Sequence, residues 1–297
     1  MVRLTGPLSF IVVALGLAAC EPTPMPSGFD AQTFDSVTTD AVAPGSDATA
    51  TGADLSGIWV LVTDWSTCVA IGDEIELRNY ELSRVEIVQD GMQLREFRQD
   101  CSISNTPILG MTTVVPLVVL QTAGLMKSSA FFPAHGPDAP YTGGVEVQAW
   151  GLNFPSGNPE TEAMPADAND PRVVDSDGDG HPGVTLKVGG VCDLYAVQRA
   201  VMERTGKMNS DGSLSGEATR HVMQVALGAS QGFCAQPFAT VSNQISNKWK
   251  LLRVDKQGMN LDQDGDGDVS CSEIVQNQAV FTDWTPPDDS RCAGFKQ

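Results

Sequence analysis

The chain has 297 residues, 41% of them hydrophobic and 6% aromatic, with 18 Lys and Arg against 37 Asp and Glu and a formal net charge of −19. So acidic a chain repels nucleic-acid phosphates and anionic lipid head groups, which excludes binding to either through charge. Its length suffices for one sizeable core of about 200 residues with flanking segments.

The chain begins "MVRLTGPLSFIVVALGLAAC": one basic residue, Arg3, an apolar run from Leu8 to Ala18, then small residues before Cys20. This is the pattern of a secretion signal whose apolar part is too short to span a bilayer comfortably. The ending Leu17-Ala18-Ala19-Cys20 resembles the lipobox of bacterial lipoproteins. That resemblance implies acylation of Cys20 and a lipid-anchored location in the cell envelope. Glu21, where aspartate would mark inner-membrane retention, implies the outer membrane. Losing the signal removes Arg3 and no acid, leaving 17 basic and 37 acidic residues and a charge of −20. Attachment then rests on acyl chains, more than one of them.

Residues 21–53 carry five acids, no Lys or Arg, and many Pro, Ser, Thr, Ala and Gly. Such a stretch buries too little apolar surface to offset its ordering entropy and reads as a disordered acidic tether, spanning roughly 30 Å as a flexible coil.

From Asp54 to Asp255 the pattern is β. "GIWVLVT", "SRVEIVQ", "MQLREF", "GVEVQAW", "GVTLKV", "HVMQVAL" and "KWKLLRV" are short segments separated by Gly, Pro, Asn and Asp. Asp90-Gly91 and Asp211-Gly212 read as hairpin turns. The fold class expected is mainly β: a single antiparallel barrel or sandwich with a short C-terminal loop and helix over 256–297. Residues 102–126 carry no charge, yet Pro107, Pro116 and the β-branched content argue for two buried strands broken near Pro116 rather than a membrane span. Gly57 and Trp59 in "DLSGIW" resemble the Gly-x-Trp opening of lipocalin-type barrels. The resemblance implies a basic residue packed over the tryptophan, a place Arg253 can fill, and a small apolar ligand inside.

Apart from Cys20, six cysteines remain, an even number that favours disulfides in an exported chain. Pairing neighbours in sequence gives 68–101, 192–234 and 271–292, one of 15 connectivities. Without a C-x-x-C pair, a zinc ribbon has no support.

The densest chemistry is "DQDGDGDVSCSE", Asp262 to Glu273. Acids this close repel, so they call for a cation. Alternating carboxylates in a turning loop converge on one point, where Ca2+ takes six to eight hard oxygens at about 2.3–2.6 Å. Asp262, Asp264 and Asp266 occupy positions 1, 3 and 5, Gly267 the bend at 6, and Asp268 supplies a carbonyl from 7. Ser270 acts through water from 9 and Glu273 is the bidentate acid at 12. This resembles the EF-hand calcium loop. "SEIVQNQAVF" follows as a helix with Ile274, Gln278 and Phe281 on one face, whereas "RVDKQGMNL" before the loop does not read as an entering helix. The resemblance therefore covers a half-hand, without the helix pair that sensor-type opening needs.

A second stretch, "DSDGDGHPGVTL", repeats the opening with Asp175, Asp177, Asp179 and Gly180, and offers His181 as a further donor. Pro182 forbids a helical exit and Leu186 stands where the bidentate acid belongs, so this is the weaker metal site. "GASQG" places Ser230 in a G-x-S-x-G frame, but His135, His181 and His221 all precede it, against the acid-then-histidine order of that motif. No catalytic constellation emerges, and the reading is a non-enzymatic calcium-binding protein or, failing that, a barrel carrier.

Overall fold

The computed structural model describes residues 54–281 except 72, 108–111, 135, 156, 236–239 and 243–246. Cys20, the tether, His135 and the pairing of Cys68 and Cys292 lie outside the described residues. Strands β1 (Gly57–Ile71), β2 (Asp73–Asp90) and β3 (Gln93–Asn105) form a long antiparallel meander. There follow β4 (Thr113–Val114), α1 (Leu117–Thr122), β5 (Met126–Phe131), β6 (Pro140–Gly143), β7 (Glu146–Trp150) and β8 (Val184–Val188). The chain then builds β9 (Cys192–Met208), β10 (Leu214–Ala229), β11 (Thr240–Ser242), β12 (Lys248–Arg253) and α2 (Cys271–Gln276).

Antiparallel pairings run β1–β2–β3–β5–β6–β9–β10–β12 and return to β1, so eight strands close into a ring. Closure leaves no free edge between these strands. Both predicted hairpin turns are present, with Gly91 (φ 59°) and Gly212 (φ 81°) in the left-handed region that glycine tolerates. β9 is the hub: its outer edge pairs in succession with β6, β7 and β8.

Alternation divides the side chains between two cores. Trp59, Leu61, Val85, Ile87, Leu94, Tyr141, Leu214, Trp249 and Leu251 fill the inside of one end. On the outer face Val60, Val62, Leu82 and Cys101 meet Val254, Leu261, Val269, Ile274 and Phe281 from the C-terminal segment. Burying each large side chain there contributes about 1.5–3 kcal/mol. Trp59 lies opposite Arg253 across β1 and β12, with the guanidinium 5.6 Å from the ring centroid. A Cβ at Gly57 would come within 2.1 Å of Asp255 Oδ2 and 2.7 Å of Arg253 Nη2, so only glycine fits beside this contact.

Three expectations need correction. Beyond Pro116 the uncharged segment is helical rather than a strand: Pro116, φ −61°, caps α1, where its missing N–H costs nothing. Val119 and Leu120 of α1 pack against Trp150, Val184, Leu186 and Ala196. Cys101 bonds Cys271, not Cys68, and so Cys271 is not joined to Cys292, while Cys192–Cys234 forms as expected. Cys101 follows the inward-facing Asp100 and so points outward beneath α2, at a β-bulge opposite Leu82 and Ser83. Finally, α2 ends at Gln276 and a 3-10 turn, Gln278–Phe281, follows, so Gln278 is exposed while Ile274 and Phe281 remain buried.

Candidate metal centre

After β12 the chain turns through 255–259 without a helix and enters the Asp-rich loop directly. Asp262 organises the loop. Its Oδ1 accepts from Gly265 N (2.7 Å) and its Oδ2 from Gly267 N (3.1 Å). Both glycines adopt left-handed backbone (φ 78° and 94°), which lets successive N–H groups face inward. Asp264 accepts from Asp266 N, and Asp266 from Asp268 N. Glu273 closes the far side: Oε1 accepts from Gln263 N (2.7 Å) and Oε2 from Ser270 N and Oγ (both 2.8 Å). In return Ser270 Oγ accepts from Glu273 N, a capping box that starts α2. The Ser270 and Gln263 N–H donors hold the Glu273 carboxyl below the ordinary glutamate range.

Oxygens of Asp262, Asp264 and Glu273 all lie within 4.8 Å of one another. Ligands on one Ca2+ at about 2.4 Å stand at most about 4.8 Å apart, so this spacing fits a shared ion. Asp266 is not in the group. Asp268 turns its carboxylate away to Arg84 Nη2 (2.6 Å), which leaves position 7 its backbone role. The only cation near Asp262 among the described ion pairs is the exposed Lys256 at 3.9 Å.

The loop is docked rather than free. Arg84 of β2 donates from Nε to Val269 O (2.8 Å) as well as to Asp268, Val269 is buried in the outer core, and Cys271 is bonded to β3. Nothing in the sequence around Arg84 singles it out; its role follows from the C-terminal segment lying across β2.

The second Asp-rich loop ends the long connection from β7 to β8. It repeats the hub geometry: Asp175 accepts from Gly178, Asp179 and Gly180 N–H groups, as Asp262 does at the same offsets of three and five. The Gly180 N–H leads in holding the Asp175 carboxyl below its usual range. Asp177 accepts from Thr185 N, and Asp179 from Thr185 Oγ1. Oxygens of Asp175, Asp177 and Asp179 share the 4.8 Å neighbourhood, and Asp177 Oδ1 is shielded from water with no hydrogen-bond partner. His181 is not in this group; its ring stacks on Tyr195 at 3.9 Å. Leu186 is buried in β8, so no acid reaches position 12.

Ser230 Oγ accepts from Asp193 N at 2.9 Å, beside the Lys187–Asp193 ion pair. No protein-family model, curated protein or solved structure matches the chain. The EF-hand, lipoprotein and lipocalin resemblances therefore stand on the residues quoted for them.

Proposed function

We propose that the chain is a calcium-binding, lipid-anchored protein of the cell envelope, without catalytic activity, in which Ca2+ fastens the C-terminal segment to the barrel wall. The observation that carries this reading is the convergence of Asp262, Asp264 and Glu273 oxygens within 4.8 Å in a docked loop with one exposed lysine nearby. At that separation each carboxylate pair repels by about 1 kcal/mol in water and about 3 kcal/mol at an effective dielectric of 20. A divalent ion converts this repulsion into attraction. The Asp175–Asp179 loop is a second, weaker candidate, supported by the buried unpaired oxygen of Asp177. Ca2+ alone is the cofactor; Cys20 would supply membrane attachment.

The experiment is hydrogen exchange on the chelator-stripped protein with and without millimolar Ca2+. Slowed exchange at the Gly265 and Gly267 amides is expected, and unchanged exchange at both would remove the reading. Cys20→Ser is expected to move the protein from the membrane fraction to the soluble one.

A barrel carrier of a small apolar ligand is the second reading, favoured by ring closure and by the Trp59–Arg253 contact. It ranks lower because Trp59, Tyr141 and Trp249 occupy one end of the interior and buried charges occupy its middle. Enhanced fluorescence of an apolar probe, displaced by fatty acid, would reverse that ranking.

A further inference from the structure

The middle of the barrel holds seven buried charged side chains that the calcium reading does not use. Four are carboxylates, Glu81, Glu96, Asp100 and Glu146; three are guanidiniums, Arg98, Arg204 and Arg220. Each arginine has a glutamate of its own. Arg220 Nη1 donates to Glu81 Oε2 at 2.9 Å, Arg204 Nη2 to Glu96 Oε2 at 2.5 Å, and Arg98 Nη1 to Glu146 Oε1. Asp100 is the surplus acid. It shares Arg98 Nη2 with Glu81, its Oδ1 also accepts from Arg98 Nε (3.1 Å) and Ser83 Oγ (2.8 Å), and its Oδ2 accepts from Gln148 Nε2.

Among the described residues, the remaining neighbours bring no further cation. β6 contributes Tyr141, whose hydroxyl donates to Glu96, and β5 contributes Ser128. From β1 comes Trp65, whose ring lies 4.3 Å from the Arg220 guanidinium, and from β12 Trp249. Asp64, also buried on β1, faces the outer side and pairs with Arg78. A sealed cluster of four acids and three permanent cations carries one uncompensated charge, and an isolated charge in such a place is costly enough that the group neutralises instead.

We propose that the folded barrel keeps one proton on Asp100, shared with Glu81, in mild acid and releases it as the pH rises through neutrality, so that the barrel is a pH-sensitive element. Two guanidiniums hold Glu81 and only one reaches Asp100, so the proton resides on Asp100 and Asp100 donates to Glu81. In agreement, burial pushes Asp100 up to about 7, while Arg98 and then Arg220 outweigh burial and draw Glu81 down to about 2. The unfolded chain releases the Asp100 proton near the ordinary aspartate value, about 3.9. Between the two values the folded state therefore binds one more proton than the unfolded state. Stability from this group is fully present below about pH 4 and is lost as pH rises from there through about 7.

The test is the folding equilibrium of the disulfide-intact protein, measured in denaturant from pH 5 to 8 at saturating Ca2+, for wild type and Asp100→Asn. Relative to the variant, the wild-type equilibrium constant is expected to fall about tenfold per pH unit between pH 5 and 6.5 and to level off above 7. Parallel pH profiles would overturn the proposal. Should the variant not fold, the infrared carbonyl band of a protonated carboxylic acid decides it in wild type alone. Its presence at pH 6 and loss by pH 9 supports the proposal, and its absence at pH 6 overturns it.

Discussion

Replacing Glu273 by glutamine separates the effect of the cation from that of the fold. In the calcium-free protein the change removes two of the three repelling carboxylate pairs among Asp262, Asp264 and Glu273. Each is worth about 1–3 kcal/mol at 4.8 Å. Against that, the hydrogen bonds from Gln263 N, Ser270 N and Ser270 Oγ lose their ionised acceptor, at about 1 kcal/mol each. The two effects oppose, so calcium-free Glu273→Gln is expected within about 3 kcal/mol of wild type. Calcium breaks the balance. At a free concentration a hundredfold above Kd, binding stabilises wild type by about 2.7 kcal/mol. In a domain of this size that raises Tm by about 5–10 °C. Paired calorimetric melts in chelator and in millimolar Ca2+ provide the assay. The variant should keep only the response of the second loop, which Asp177→Asn would then remove. An equal calcium shift in wild type and Glu273→Gln would refute the placement of the ion.

Arg84→Met should weaken calcium affinity and lower stability by about 1–3 kcal/mol, because it severs the bonds to Val269 O and Asp268 while keeping side-chain bulk; calcium titration and denaturant melts of the variant read both effects. Replacing Cys101 and Cys271 together by alanine frees a bridge spanning 170 residues, with an expected cost of about 2–5 kcal/mol in chemical unfolding. Non-reducing peptide mapping of the wild type should recover the 101–271 and 192–234 bridges, and a 271–292 peptide would contradict the docking of α2 on β3.

Segments rich in β-branched and aromatic residues and bounded by turn residues were legible in the sequence: "GIWVLVT" appears in β1, although both its faces are buried, and "KWKLLRV" appears in β12. β9 was not, because Ala196 to Ala200 are buried on both faces, which erases the alternation, and "AVQRAVMER" is composed largely of helix formers. α1 was misread because its valines favour strands, while half-burial and the cap at Pro116 decided for a helix. The calcium loop was legible because its spacing is fixed by ion geometry, which needs no distant residue. Its attachment was not: Cys271 meets Cys101 only because the C-terminal segment crosses the outer faces of β2 and β3. The buried charge lattice left one trace, since Glu96, Arg98 and Asp100 share the face of Leu94, in conflict with a simple apolar interior.

Equilibrium dialysis of the acylated, disulfide-intact protein against labelled Ca2+ tests the central claim most directly. At millimolar free ion, wild type is predicted to hold at least one Ca2+ per chain, and Glu273→Gln one fewer. A wild type that retains none would leave the three converging carboxylates without their partner and contradict the account.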